Sequence, residues 1–334
     1  MTVAAAIDGP TVAGVDEGDF AVITRGLVKR YGRQPALNGL DISVPKGRVY
    51  GFLGPNGSGK TTTLRLLVGL MRPDAGTMSL FGERYTWRDR QRLFSVGSLI
   101  ESPAFYPYLS GRDNLRVVAN AGPPTPRNRI DEVLHFVGLT DRANSKVKTY
   151  SLGMKQRLGI AGALLSDPQL LLLDEPGNGL DPAGIVAMRE TLRFLTSRGK
   201  TVVVSSHILP EVEQLADVVG IVGSGRLIRE GTLSQLLEDT GHVRVRVAVE
   251  DMPTAGGVLK RLAPERPLYG VDSGPQAGTF TVHVVPSRAG EVNRALAEAG
   301  VYALSLQSGS DLEALFLQVT SPQTPGAQSS AVRS

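Results

Sequence analysis

Through the first two-thirds of the chain, apolar residues fall in short continuous runs rather than in long alternations. Residues 170–173 are four leucines in a row, 202–204 are three valines, and 48–53 read Arg-Val-Tyr-Gly-Phe-Leu. Runs of this length predict strands buried on both faces, as in a parallel sheet. Further strands are expected at 20–25, 40–44, 77–81, 95–100, 218–222 and 227–229. Turns are expected at Asn38-Gly39, Pro45-Lys46-Gly47, 72–76 and Gly223-Ser224-Gly225. Helices are predicted over 62–70, 110–118, 130–137, 158–165 and 183–195; in the third, Ile130, Val133, Leu134 and Val137 share one face. The section from about 88 to 165 reads as a mainly helical insert between two parts of a sheet. The fold class is therefore α/β.

Beyond Leu237 the pattern restarts. Val243, Val245, Val247 and Val249 alternate with Arg244, Arg246 and Ala248, the period of a half-exposed strand. A helix at 255–262, a strand through Phe280, Val282 and Val284, a helix at 289–299, a strand at 302–306 and a helix at 311–319 complete the order. That order predicts a small α+β domain over 241–319, of ferredoxin-like type. Residues 1–19 read as a flexible leader, and 320–334, rich in Ser, Pro and Gln, as a disordered tail.

Composition narrows the picture only a little. The chain has 334 residues, with 36 Lys+Arg against 32 Asp+Glu and a formal charge of +4, too mild to argue for nucleic acid. It has no cysteine, which excludes disulfides, thiolate metal sites and cysteine nucleophiles. The leader has neither a basic nor an apolar region of the secretory kind, and no apolar run is long enough to span a bilayer. The expected place of work is the cytosol, or the cytosolic face of something else.

The candidate chemistry centres on Gly54-Pro55-Asn56-Gly57-Ser58-Gly59-Lys60-Thr61, followed by Thr62. It fits G-x-x-x-x-G-K-[ST], a phosphate-binding loop (Walker A) between a predicted strand and a predicted helix. The glycines let the backbone N–H groups turn inward around a phosphate. Lys60 supplies a point charge to the β- and γ-phosphates, and the Thr61 hydroxyl suits Mg²⁺. The leucine run ends in Asp174-Glu175-Pro176, at the strand end where ligands of open α/β sheets bind. Asp174 fits as the Mg²⁺-side carboxylate, and Glu175 as the residue that polarises the attacking water. His207, closing the valine run, is expected to contact the γ-phosphate. Ser151 and Gly153, opening a predicted helix, form either an ordinary cap or a second anion site. Tyr31 is either a stacking platform for a base or a half-buried strand residue.

Taken together, these residues resemble the ATP-binding subunits of ABC transporters, over about residues 20–237. Six motifs agree in order: Tyr31 with the adenine-stacking aromatic, residues 54–61 with Walker A, and residues 151–156 with the signature. Leu170 to Glu175 match Walker B with its glutamate, Gly179-Leu180-Asp181 the D-loop, and His207 the switch histidine. The resemblance implies a P-loop ATPase cassette with a helical subdomain over about 88–165. It also implies that two such subunits meet head to tail. Ser151 and the N–H of Gly153 would then bind the γ-phosphate of a partner's ATP, and the resemblance also implies Asp181 as a nucleotide-binding residue.

Two positions depart from the family pattern. Tyr150-Ser151-Leu152-Gly153-Met154 stands where Leu-Ser-Gly-Gly-Gln is usual, keeping the serine and the second glycine. Glu101 stands where a glutamine is usual; its carboxylate can still ligate Mg²⁺ but, when ionised, cannot donate a hydrogen bond. The combination is similar to exporters of the bacitracin and peptide-antibiotic resistance type. The implied partners are a second ATPase subunit, in a homodimer, and a separately encoded integral-membrane permease, at the cytoplasmic face of the membrane. The competing readings are a soluble ABC-type ATPase acting on ribosomes or nucleic acid, and a module that holds ATP without hydrolysing it. One cassette, no sustained heptads and mild charge weigh against the first; Glu175 and His207 weigh against the second.

Overall fold

The computed structural model describes residues 17–101, 103–238, 243–262, 269–272, 278–284 and 288–309. Two long strands, β1 (Phe20–Tyr31) and β2 (Gln34–Pro45), form an antiparallel hairpin, and β3 (Val49–Leu53) leads into the glycine loop. Helix α1 (Lys60–Leu67) follows, then β4 (Ala75–Leu80), β5 (Glu83–Tyr85), the short α2 (Arg90–Leu93) and β6 (Val96–Leu99). Helices α3 (Gly111–Ala121), α4 (Arg129–Phe136) and α5 (Leu152–Ala163) precede β7 (Leu170–Asp174) and α6 (Pro182–Ser197). The first unit closes with β8 (Thr201–Ser206), α7 (Leu209–Leu215), β9 (Val218–Gly223) and β10 (Arg226–Thr232).

Six strands form one sheet in the order β10-β9-β3-β8-β7-β6, and β9, β3, β8, β7 and β6 run parallel. Every residue of β3, β7 and β8 is buried, which explains why these strands read as unbroken apolar runs. Strand periodicity divides them between two cores. Leu170, Leu172, Val203, Tyr50 and Phe52 pack with α1 and the antiparallel strands. Leu171, Leu173, Val202 and Val204 pack with Leu115, Leu134, Leu158 and Leu192 from the helices. The second sheet, in the order β2-β1-β4-β5, lies against the first of these cores.

Three expectations change. Asn38-Gly39 is not a turn: Leu27 pairs with Leu40 and Val28 with Asn38, so Gly39, at φ 81°, is the extra residue of a bulge within β2. The predicted insert begins later than residue 88, because β6 pairs in register with β7 as an edge strand of the main sheet. The helical part proper starts with α3. The compact units divide between Glu230 and Gly231 rather than after Leu237. Glu230 is tied to the main sheet's unit by the Tyr50 hydroxyl, donating at 2.6 Å, and the Ser43 N–H at 3.0 Å. Burial pushes both the Glu230 carboxyl and the Tyr50 phenol above their usual ranges.

The second unit contains α8 (Leu233–Glu238), β11 (Val243–Val249), α9 (Met252–Leu262), β12 (Tyr269–Asp272), β13 (Gly278–Val284), α10 (Ala289–Glu298) and β14 (Ser305–Gly309). After α8 the order is β-α-β-β-α-β, and the antiparallel sheet runs β12-β13-β11-β14, the ferredoxin-like arrangement. Val247, Val249, Leu259, Val282, Val292 and Leu296 form its core. The strand expected at 302–306 lies slightly further on: Val301 is buried in this core, Tyr302 is exposed, and pairing starts at Ser305. Residues 1–16 of the leader, the helix expected at 311–319 and the tail at 320–334 lie outside the described residues. Among the described residues, no helix is long and apolar enough to cross a membrane.

Candidate nucleotide site

The glycine loop sits at the carboxyl end of β3, between the ends of β8 and β9, where the strand order of an open sheet opens a crevice. Its path is set by the main chain. Gly54 N–H points to Ser206 O at 3.4 Å and Ser58 N–H to Pro55 O at 3.1 Å. The β9–β10 hairpin turns at Ser224-Gly225, and Gly225 N–H donates to Ser58 O at 3.0 Å while its carbonyl accepts from Asn38 N–H at 2.9 Å. Gly59 stands before the first turn of α1 at φ 106°, and a Cβ there would lie 2.6 Å from Leu37 Cδ2. Only glycine fits that conformation and that space. Asn56 and Gly57 lie on the outer rim, while Ser58 is buried with its hydroxyl unpartnered.

Lys60 is 5% exposed, and its Nζ donates to Gly54 O at 2.7 Å and Pro55 O at 3.2 Å. It also lies 3.6 Å from Glu175 Oε1. Burial pulls its pKa below the usual lysine value, opposed by the neighbouring Glu175 and Asp174 carboxylates. A buried ammonium on carbonyl oxygens at a helix N-terminus makes a strong position for an anion.

The carboxylates converge on the same spot. Thr61 Oγ1 donates to Asp174 Oδ2 at 2.7 Å, and Ser205 Oγ holds the other carboxylate oxygen of Asp174. These hard oxygen donors suit a small divalent cation that completes its coordination with phosphate and water. Glu175 adopts φ 47°, a left-handed conformation costing about 1 kcal/mol. Its N–H is fixed by Ser205 O at 3.2 Å and Ser205 Oγ at 2.9 Å. Its side chain accepts from Asn178 Nδ2 at 2.5 Å and meets His207 Nδ1 at 2.9 Å, both at Oε2. Lys60, Thr61, Asp174, Glu175 and His207 therefore form one connected group. Ser205 and Asn178 belong to it but carried no sequence signal beyond their position after strand runs.

The remaining candidates lie apart from that group. Ser151 caps α5, accepting from Met154 N–H at 3.2 Å, and Asp181 caps α6, accepting from Gly184 N–H at 2.9 Å. Neither hydrogen bonds to the loop at 54–61. Tyr31 ends β1 and is 49% exposed, so both the strand reading and the stacking reading stay open. Its hydroxyl points to Met71 Sδ at 3.3 Å. Glu101, at φ 63°, is exposed and ion-paired with Arg65 of α1; neither Thr61 nor Asp174 is among its partners. Thr62 continues α1, half-buried.

A sequence model of the ABC transporter family matches residues 37–178, from the hairpin through the carboxylate turn. The bacitracin transport ATP-binding protein BcrA of Enterococcus faecalis is 38% identical over 85% of this chain and 90% of that protein. The chain belongs to the ATP-binding subunits of ABC transporters.

A daunorubicin resistance ATP-binding protein of Streptomyces coeruleorubidus is 37% identical over 85% of this chain and 90% of its own length. Among solved structures, an ATP-binding subunit of an ABC transporter superposes with a TM-score of 0.60 at 30% identity, covering 66% of this chain and 93% of that one. A dimeric ATP-binding cassette in a post-hydrolysis state, bound to ADP and Pi, superposes with a TM-score of 0.57 at 25% identity, covering 63% and 98%. As a member of this family the chain is a nucleotide-binding ATPase, and its mixed α/β unit is the ABC cassette.

Within that cassette the Glu101 substitution is open to test. Glutamine at 101 releases Arg65 from an exposed ion pair, which is worth at most about 1 kcal/mol. Glu101→Gln is therefore expected to keep nucleotide binding and to change steady-state ATPase kcat less than about tenfold, under about 1.4 kcal/mol. A loss as deep as that of a Glu175 variant would place Glu101 in the reaction itself.

Proposed function

We propose that the chain is the ATP-hydrolysing subunit that drives a membrane exporter of a drug, antibiotic or peptide. The observation that carries this reading is a single-chain site that is chemically incomplete. Lys60, Thr61, Asp174, Glu175 and His207 are held together, while Ser151 caps α5 and makes no hydrogen bond to any of them. Two copies placed head to tail complete both sites: the loop of one chain meets Ser151 and Gly153 of the other across an ATP.

In that arrangement the loop's N–H groups and Lys60 hold the β- and γ-phosphates, and Tyr31 stacks on adenine. Thr61 and Asp174 would hold Mg²⁺, which when bound supplies charge stabilisation to the phosphates. Glu175 accepts the proton of the attacking water, and His207 orients Glu175 and the γ-phosphate. Asp181 fixes the start of α6 at the interface between the copies. ATP favours the closed pair because only the closed pair offers both halves of the site, and this differential affinity is what can move a partner.

The exporter class rests on the similarity to bacitracin and daunorubicin resistance subunits, and to a lantibiotic transport ATP-binding protein of Streptococcus pyogenes that is 44% identical over 62% of this chain. The partner would be a separate integral-membrane permease at the cytoplasmic face. A surface groove of about 400 Å³ lined by Leu70, Trp87, Leu93 and Phe94 offers apolar area for such a contact. The test is copurification of the tagged full chain from detergent-solubilised membranes. A polytopic membrane protein in stoichiometric amount is expected; ribosomes or nucleic acid in its place would overturn the reading.

A further inference from the structure

Two neighbouring strands end alike. The last register pair of β6 and β7 is Leu99 beside Leu173 within the strands, and two residues past it stand Glu101 on one strand end and Glu175 on the other. Both glutamates adopt the left-handed conformation, at φ 63° and φ 47°. Paired strands lie about 4.8 Å apart, so the chain at Glu101 runs next to the turn that carries Asp174 and Glu175. Each glutamate then meets a cation of α1. Glu175 lies 3.6 Å from Lys60 Nζ, and Glu101 is ion-paired with the Arg65 guanidinium.

Helix geometry brings the second pair close to the cation donors. Arg65 stands one turn beyond Thr61 on the same face of α1, and Thr61 Oγ1 donates to Asp174 Oδ2 at 2.7 Å. The neighbouring strand thus delivers a further hard oxygen donor to the flank of the Thr61–Asp174 pair. That donor is held aside: Arg65 Nη2 donates to Glu101 Oε1. The pair is open to solvent, with the Arg65 side chain 33% and the Glu101 side chain 59% exposed, so it adds little to stability. Its consequence is where it keeps the carboxylate.

We propose that Arg65 is a positioning residue that sets which divalent cation the nucleotide site prefers. This rests on the reading above that Thr61 and Asp174 hold the cation. One hydroxyl and one carboxylate leave most positions to phosphate and water, which suits Mg²⁺, a small ion that demands near-ideal octahedral geometry and keeps several waters. Ca²⁺ accepts about six to eight oxygens in looser geometry and gains affinity as carboxylates are added. By retaining Glu101 on the flank of α1, Arg65 keeps a second carboxylate out of the cation's oxygen set. Without Arg65, Glu101 turns to the cation and the preference for Mg²⁺ over Ca²⁺ falls.

The test is trinitrophenyl-ATP binding to the full chain, titrated in Mg²⁺ and in Ca²⁺, with the ratio of the two affinities as the readout. Removing a cation weakens nucleotide binding with either metal, and the ratio cancels that common effect. Arg65→Ala is expected to shift the ratio about tenfold toward Ca²⁺. Arg65→Lys, which keeps a positive charge on Glu101, should stay within about twofold of wild type, as should Glu101→Gln alone. Adding Glu101→Gln to Arg65→Ala should return the ratio to wild type. An unchanged ratio in Arg65→Ala overturns the proposal, and so does a shift that Glu101→Gln fails to reverse. A shift in Glu101→Gln alone also overturns it, because the carboxylate would then already serve the cation. Asp174→Asn separates the two levels. If it abolishes the dependence of nucleotide affinity on the metal while Arg65→Ala keeps the wild-type ratio, only the role of Arg65 fails; if that dependence survives, the cation is not held by Thr61 and Asp174 and both readings fail.

Discussion

Replacing Glu175 by glutamine is expected to lower ATPase turnover about a thousandfold, roughly 4 kcal/mol, while leaving ATP binding intact. The geometry explains why the loss is so selective. Glutamine keeps the shape of the side chain, can still accept at its carbonyl oxygen, and leaves the Ser205 contacts to the residue's N–H untouched. What it loses is basicity, and the negative charge 3.6 Å from Lys60. Losing that charge leaves Lys60 freer to engage phosphate, so nucleotide affinity should hold or rise. Trapped nucleotide should accumulate as ATP rather than ADP, measured by chromatography of the bound fraction after incubation with Mg²⁺. Turnover within about threefold of wild type would remove Glu175 as the water-activating residue.

The second large effect lies on the binding side. Lys60→Ala deletes a buried ammonium that the loop carbonyls of Gly54 and Pro55 hold in place. It also leaves the Asp174 and Glu175 carboxylates without their cationic neighbour, so the site becomes more repulsive toward phosphate. Loss of one partner of a buried charged contact costs about 3 kcal/mol, which is roughly a hundredfold in Kd for ATP. The fold should survive, because burial already disfavours this charge in the folded chain. A circular-dichroism melt matching wild type, together with lost binding in calorimetry, is the expected pair of results. Retained binding would move the phosphate contacts to the loop's N–H groups alone.

Glu175→Gln and Lys60→Ala both act on residues that the sequence made plain, and the reason is physical. A phosphate loop needs glycines at fixed offsets and a lysine after them, and a doubly buried strand needs an unbroken apolar run. Both constraints are local, so residues 54–61 and 170–175 are readable without a fold. Ser205, Asn178 and Arg65 are different. Their roles depend on which strand end or helix lies opposite, and serine, asparagine and arginine occur at such positions for many reasons. Asn38-Gly39 misled for the same cause: a turn dipeptide becomes a bulge when the cross-strand register on either side continues. The strand at 96–99 is short and carries polar Ser98, so only its parallel pairing with β7 draws it out of the helical section. Strand β12, four residues long, has too little sequence to show a period. Ser151 is legible as a cap, and the structure shows it capping α5.

The meeting of Asn38, Ser58 and Gly225 has a consequence for how this protein can change over evolutionary time. Both bonds that join β2, the glycine loop and the β9–β10 hairpin run between main-chain atoms. Side-chain replacements at Asn38 and Ser58 therefore leave both bonds chemically available, and proline at residue 38 or 225 is the direct way to delete a donor. The glycine loop is thus anchored by bonds that do not depend on the identity of those side chains. The surrounding side chains can diversify toward new partners while the phosphate cradle keeps its place.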